Sequence, residues 1–263
     1  MKFFVTGIHG RLGRSFAALA VEQGHTVVGI DIFPENPEAK TKLPAGVKSE
    51  IGTYSDIPLL ERLLPGCDAV IHTAGLHGGQ LKTQGLQAFL RSNVEDVSVL
   101  METAIRIGVR RFVLSSTMEV VVGVDWSANA ISMQDETTPA RPDTQYSCSR
   151  LLMEQMGQYI SNRHNVSVIS LRYMCLDDLP DIHDLNVRLL AHELSGRDTA
   201  RAVLAAALRD GFRGEFLHIG PVTPLTNKDI IAAQVEPNTV IEKYWPGATE
   251  AMKAKGFAVK TKN

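Results

Sequence analysis

Short apolar runs alternate with longer segments of helical period along most of the chain. Six runs read as strands: Lys2–Thr6, Thr26–Asp31, Ala69–His72, Arg111–Ser115, Val166–Arg172 and Glu215–Ile219. Between them, apolar residues recur at spacings of three and four. Leu12, Phe16, Leu19 and Ala20, with Gln23, make a stripe that Gly24 stops. Val94, Val97, Met101, Ala104 and Ile105 make a second, closed by Gly108. Leu152, Met156, Tyr159 and Ile160 make a third. Strand alternating with helix predicts an α/β fold of the Rossmann type. Its sheet is parallel and doubly wound, with right-handed crossovers and helices on both faces. Asp125–Gln145 and Asp177–Gly196 are the most irregular stretches. In such sheets, ligand-contacting loops lie beyond the carboxyl ends of the strands.

The first strand runs into Gly7-Ile8-His9-Gly10-Arg11-Leu12-Gly13, which opens the first helix. Three glycines alone are weak evidence, but a strand before and a helix after make a dinucleotide site the natural reading. Gly7 permits a tight turn, Gly10 leaves room for a pyrophosphate, and Gly13 lets helix and strand approach. The first-turn N–H groups then face the phosphates. His9, Arg11 and Leu12 belong to the same candidate set. Asp31 ends the second strand, 18 residues past Gly13. Its carboxylate suits ribose hydroxyls and repels a 2′-phosphate, which favours NAD over NADP. Arg11 and Arg14 are a counter-signal, unless they are solvent-facing helix residues.

Composition narrows the function classes. Of 263 residues, 44% are hydrophobic and 21% charged, which is ordinary for a soluble globular protein. Lys plus Arg is 27 against 29 for Asp plus Glu, so no basic excess suggests nucleic acid or an anionic membrane as partner. Arg106, Arg110 and Arg111 read as a solvated helix end. No run has the length of a transmembrane span, and the apolar residues before Thr6 are too few for a signal peptide. Cys67, Cys148 and Cys175 are odd in number and far apart, fitting neither a disulfide framework nor a zinc site. The expected compartment is the cytoplasm, and no metal is expected. His72 and His77 lack ligand spacing.

Further motifs resemble those of extended short-chain dehydrogenases/reductases of the NAD-dependent epimerase/dehydratase family. The glycine spacing matches. Asp68-Ala69-Val70-Ile71-His72-Thr73-Ala74-Gly75 resembles the family's fourth-strand signature along the cofactor, and Asn93-Val94 the start of its central helix. Ser115-Ser116-Thr117-Met118-Glu119-Val120 resembles the segment bearing its catalytic hydroxyl. Glu136-x-x-Pro139-x-x-Pro142 leads to Tyr146-Ser147-Cys148-Ser149-Arg150 at the Tyr-x-x-x-Lys position. Leu171-Arg172-Tyr173 and Arg197–Ala202 fit later landmarks.

The resemblance implies that NAD is bound by Gly7, His9, Gly10, Arg11, Leu12, Gly13, Asp31, Ala74, Asn93, Tyr146 and Arg150. It makes Tyr146 the acid/base and Thr117 its hydroxyl partner. Free tyrosine has a pKa near ~10, so a tyrosinate base needs a neighbouring cation. Here that cation is Arg150 where the family has Lys, and the exchange is not conservative. Glu119 stands where the family's dehydratases and decarboxylases carry a catalytic Glu, although Met118 departs from their pattern. A structural carboxylate is the competing reading. Cys67 and Cys148 read as packing residues.

The chain is expected to be one domain over residues 1–263. Residues 1–172 form the cofactor core, and 173–196 and 220–263 are small, shortened substrate-side segments. Only 25 positions separate Arg172 from Arg197, room for one short helix over Ile182–Leu194. Cys175 replaces a family Asn that helps hold nucleotide-sugars, and Leu176-Asp177-Asp178 departs from the usual loop. These features favour a small sugar-like or sugar-acid alcohol near Thr117, Tyr146 and the glycine-rich loop Gly75–Gly79, with His77. Arg172 is expected in a structural salt bridge. The leading expectation is an NAD-dependent oxidoreductase. The alternatives are an NAD-retaining epimerase, dehydratase or decarboxylase, or a cofactor-binding protein with little turnover. The resemblance also implies a homodimer, paired through the helices after Asn93 and Tyr146.

Overall fold

A computed structural model of the chain describes residues 1–39, 41–121, 134–176 and 193–256. Its strands are β1 (Lys2–Thr6), β2 (Thr26–Asp31), β3 (Lys48–Ile51), β4 (Ala69–His72), β5 (Arg111–Thr117), β6 (Ser167–Tyr173), β7 (Cys175–Leu176), β8 (Glu193–Leu194) and β9 (Arg213–Ile219). Seven form one sheet in the order β3-β2-β1-β4-β5-β6-β9, parallel throughout. The order reverses direction beside β1, which places β1 and β4 at the topological switch point where such sheets bind ligands.

The helices are α1 (Arg11–Glu22), α2 (Ile57–Leu63), α3 (Leu86–Leu90), α4 (Asp96–Ile107), α5 (Gln145–His164), α6 (Gly196–Leu208), α7 (Asn227–Val235), α8 (Pro237–Tyr244) and α9 (Ala248–Ala254). The strand period of two splits β1 between two cores. Phe3 and Val5 pack with Phe16, Ile71, Ile169 and Val203 under α1 and α6. Phe4 packs with Leu60, Val70, Leu100, Phe112 and Met153 under α2, α4 and α5. Gly108 ends α4 in a left-handed conformation with φ 109°, and Asn165 does the same for α5 with φ 52°. Thr144 and Ser147 open α5 with a reciprocal capping box.

The structure departs from the pattern reading in three places. β3 was not expected: its sequence, Lys-Ser-Glu-Ile, is polar, and its order comes from parallel pairing with β2 at the sheet edge. The stripe expected on α5 is off-axis. Leu152 and Tyr159 are exposed, while Ser149, Arg150, Met153, Glu154, Gly157 and Ile160 are buried. Of the helix expected over Ile182–Leu194, residues 182–192 lie outside the described residues, and Glu193–Leu194 is a strand paired with β7. Among the described residues, no helix is long and apolar enough to cross a membrane.

Candidate active site

The glycine loop is shaped by the chain's own contacts. Gly7 has φ +69°, and a Cβ there would stand 2.9 Å from the Ala74 amide nitrogen. A Cβ on Gly13 would stand 2.2 Å from the Gly7 carbonyl oxygen, and one on Gly10 would be 2.9 Å from the same atom. No side chain larger than hydrogen fits at these positions. Helix α1 then begins with no side-chain cap and no acidic residue in its first turn. Uncapped first-turn amides at the end of a twelve-residue helix suit an anion. The loop therefore fits a dinucleotide diphosphate.

At the adenosine end, Asp31 is half-buried and accepts the His9 N–H at 2.9 Å and the Phe33 N–H at 3.1 Å. A carboxylate has about four acceptor sites, so capacity remains for ribose hydroxyls. The His9 ring donates from Nδ1 to the Phe33 carbonyl at 2.6 Å and places Nε2 3.0 Å from the Ser49 hydroxyl, tying the glycine loop to β3. Arg14 is not solvent-facing: it is buried and donates to the His9 carbonyl. Its guanidinium is committed to the loop, so the counter-signal to NAD rests on the exposed Arg11 alone.

At the carboxyl ends of β4 and β5 the candidate site is built around Asn93 and Arg150. Arg91–Glu95 forms a single π-helical turn between α3 and α4, with Asn93 buried within it; such turns recur at functional sites. Asn93 accepts the Leu76 N–H and donates to the Leu76 carbonyl and the Ser149 hydroxyl, each at 2.9 Å. Ser149 donates to the Tyr146 carbonyl at 2.8 Å. Arg150 is buried and donates to the carbonyls of Ser115 at 3.0 Å and Ala74 at 3.3 Å. Its carbon Cζ lies 5.5 Å from the centre of the Tyr146 ring. The cation is thus fixed under Tyr146 by the carboxyl ends of β4 and β5.

Thr117 ends β5, and its hydroxyl oxygen accepts the Glu119 N–H at 3.1 Å. Glu119 is half-buried. Lost hydration, and secondarily the charge of Asp143, push its carboxyl above the ordinary glutamate value. It faces the glycine-rich loop: a Cβ on Gly78 would lie 3.8 Å from its Oε1.

Two supports were not foreseen. Tyr54 donates from its hydroxyl to the Ser92 carbonyl at 2.9 Å, bracing the π turn. Glu154 lies on the α5 face that carries Tyr146 and Arg150, each four residues on, a spacing that flags it in the sequence. It forms a buried bidentate pair with Arg172 at 2.9 and 2.6 Å and accepts the Ser116 hydroxyl. Arg172 stacks on the Phe216 ring at 3.5 Å, so its expected structural pairing is what the fold contains. His72 is a core residue, with Nδ1 2.8 Å from the Thr6 hydroxyl. Burial, helped by the charge of Arg150, lowers its pKa to about 3 and keeps it neutral. Cys67 and Cys148 are free thiols, and no cluster of metal-ligating side chains occurs among the described residues.

A doubly wound parallel sheet and a glycine loop opening α1 define a dinucleotide-binding class of fold. Residues 3–176 match the model of the NAD dependent epimerase/dehydratase family, and the chain belongs to that family. NAD is its cofactor, and family members include dehydrogenases, epimerases and dehydratases. The chain is 24% identical over 181 residues to the NAD-dependent glucose-6-phosphate dehydrogenase of Haloferax volcanii, covering 64% of this chain and 66% of that protein. It is 25% identical over 175 residues to the uronate dehydrogenase of Pseudomonas syringae pv. tomato, covering 65% and 58%. The chain thus spans less than two thirds of the length of either relative. Its fold is similar to that of MoeE5 in complex with UDP-glucose and NAD, with TM-score 0.69 and 22% identity over 91% of this chain and 82% of that one.

Proposed function

We propose that the protein is an NAD-preferring oxidoreductase that oxidises a secondary alcohol of a small sugar-like or sugar-acid substrate. The observation that carries this reading is the buried Arg150, bonded to the Ser115 and Ala74 carbonyls at the carboxyl ends of β5 and β4 with its guanidinium carbon 5.5 Å from the centre of the Tyr146 ring, where β5 ends at Thr117. The Thr117 hydroxyl orients the substrate oxygen. Tyr146, as its phenolate, takes the hydroxyl proton and becomes neutral, and the guanidinium beside its ring is the countercharge to that phenolate. NAD, held at the glycine loop and Asp31, would supply the hydride acceptor that turning the alcohol into a carbonyl requires. Asp31 supports the preference for NAD over NADP. The short span between Arg172 and Arg197 supports a substrate without a nucleotide.

The test is NADH formation at 340 nm over a panel of uronic acids, free aldoses, glucose 6-phosphate and UDP-sugars. Net NADH from a nucleotide-free sugar or sugar acid is expected. Conversion without NADH release favours the second reading, an NAD-retaining epimerase or dehydratase. Glu119 supports that reading, because a half-buried carboxyl with a raised pKa is suited to proton exchange beside a ketone. Binding of NADH with turnover of nothing in the panel favours a cofactor-binding protein. Exposure of Leu152 and Tyr159, seven residues apart on α5, supports a homodimer through α4 and α5. Light scattering at micromolar concentration should give twice the monomer mass, and Leu152→Glu should restore the monomer.

A further inference from the structure

Helix α5 turns two opposite charges into the protein, Arg150 and Glu154, both buried. They stand four residues apart, so they lie on one face of the helix, one turn from each other. They also reach consecutive residues of β5. Arg150 Nη1 donates to the Ser115 carbonyl at 3.0 Å, and Glu154 accepts the Ser116 hydroxyl. The two side chains are therefore within reach of one another, yet each is committed elsewhere. Arg150 gives Nη1 to Ser115 and Nη2 to the Ala74 carbonyl at 3.3 Å, and its Nε is buried with no acceptor among the described residues. Glu154 is gripped by Arg172 of β6, which donates from Nε to Oε1 at 2.9 Å and from Nη2 to Oε2 at 2.6 Å. The Phe216 ring of β9, 3.5 Å from Arg172 Cζ, holds that guanidinium in place.

We propose that Arg172 is a positioning residue for the candidate active site: by filling both oxygens of Glu154, it leaves Arg150 to Ser115, Ala74 and the Tyr146 ring. Without Arg172, Glu154 is left charged and has lost both N–H donors from β6. Three groups then face it. The Ser116 hydroxyl is neutral. His218 of β9 has its Nε2 3.4 Å from Arg172 Nη1, and burial, opposed by the charge of Glu136, holds its pKa below the usual histidine value. Arg150 is the permanent cation, with an Nε–H to spare. A guanidinium grips a carboxylate in a bidentate fork, so Arg150 turns from two separate carbonyls to Glu154. Ser115 and Ala74 lose their donor in that exchange, and Tyr146 loses its countercharge. A lysine at position 150 is a point charge without that fork, so the arginine of this chain makes an occupied Glu154 matter more. The inference rests on the reading of Tyr146 and Arg150 as the reacting pair and deepens it.

The experiment compares the full chain with Arg172→Met and with the double variant Arg172→Met, Glu154→Leu at pH 8, where circular dichroism shows each folded. One readout is the arginine Nε–H spectrum of 15N-labelled protein without cofactor, with the Arg150 signal assigned from Arg150→Lys. The other is kcat and KM for the sugar or sugar acid from which wild type forms NADH. In Arg172→Met the Arg150 signal should move. Turnover should fall about ten- to a hundredfold, the scale of a misplacement of about 1 Å, with KM for the sugar unchanged. The double variant lacks the competing carboxylate, so the Arg150 signal and kcat should both return to wild type. Arg172→Lys keeps a cation but fills one oxygen only, and should give a smaller loss in the same direction even where Arg172→Met does not fold. An Arg150 signal unmoved in the single variants overturns the proposal. So does a kcat that stays low in the double variant, because the bond from Ser116 to Glu154 would then be what matters. Both results leave the proposed function standing. Wild type that turns over nothing in the panel overturns that function, and the Arg150 signal tests the positioning without it.

Discussion

The cofactor end and the carboxyl-terminal helices of this protein are held together in different ways. Around β1, α1 and β4 the contacts are between backbone segments. Gly7, Gly10 and Gly13 let chain touch chain, and both sheet faces bury large apolar side chains. Around α7, α8 and α9 the apolar cluster is small, with Leu225, Ala233 and Val240 as its buried members. There two carboxylates gather the segment: Glu242 accepts the Gly247 and Thr249 N–H groups at the start of α9, and Asp229 ties α7 to α8. Asp229 accepts from the Thr226 N–H and hydroxyl, from Lys243 Nζ at 2.6 Å and from the Tyr244 hydroxyl at 2.5 Å. The first region tolerates no added atoms at its three glycines. The second depends on two ionised carboxylates, Asp229 and Glu242.

Substitutions can break this contrast or sharpen it. The largest effect is expected at the site between the two regions. Tyr146→Phe should lower turnover by about 10²–10⁴-fold, the usual contribution of a positioned acid/base, while NADH titration gives an unchanged affinity. Normal turnover instead would make Tyr146 a packing residue. Next is the buried pair beneath it. Arg172→Met alone leaves Glu154 charged and unpartnered, and chemical denaturation should show a loss of about 3–5 kcal/mol. The double variant Arg172→Met with Glu154→Leu should recover most of that loss, since the desolvation cost of both charges disappears.

Smaller is Gly13→Ala. The added methyl, aimed at the Gly7 carbonyl, should cost about 1–3 kcal/mol as an overpacking strain and weaken NADH at every pH. The smallest and most local effect belongs to Asp229. Its hydrogen bond from Lys243, and then those from Thr226 and Tyr244, hold its pKa far below the ordinary aspartate value. A depressed carboxyl contributes stability that is full above the unfolded pKa, near ~3.9, and is lost as pH falls through the folded value. Hydrogen exchange should therefore show α7–α9 opening at acid pH before the sheet does. Asp229→Asn should bring that opening to neutral pH while leaving exchange in β1 and β4 unchanged.

The legible part of the fold was the part where hydrophobic pattern and burial coincide. Continuous apolar runs marked β1, β2, β4 and β6 because both faces of the sheet are covered. β3 was invisible because an edge strand with Lys48 and Glu50 owes its order to the neighbouring β2 rather than to its own side chains. The α5 stripe was misplaced for a related reason. Its buried face is polar, carrying Ser147, Ser149, Arg150, Glu154 and Ser161, and a polarity pattern cannot tell a bonded serine from a solvated one. The candidate site was legible only as motifs: the glycine loop, Asp31, Asn93, Thr117, Tyr146 and Arg150 stand in the order of the family pattern that the sequence resembles.

By itself the sequence determined which residue types stand in which order: three glycines after a strand, a carboxylate after the next strand, and a tyrosine four residues before an arginine. Those are local facts, and local sterics and spacing suffice to read them. Only the tertiary structure decided what each charge does. Arg14 closes on the His9 carbonyl, Arg150 reaches Ala74, 76 residues away, and Arg172 meets Glu154 inside the protein. Burying a charge is costly unless partners meet it, and those partners come from distant segments brought together by strand order and register. The same reason separates His72, neutral in the core, from the exposed His77 five residues later.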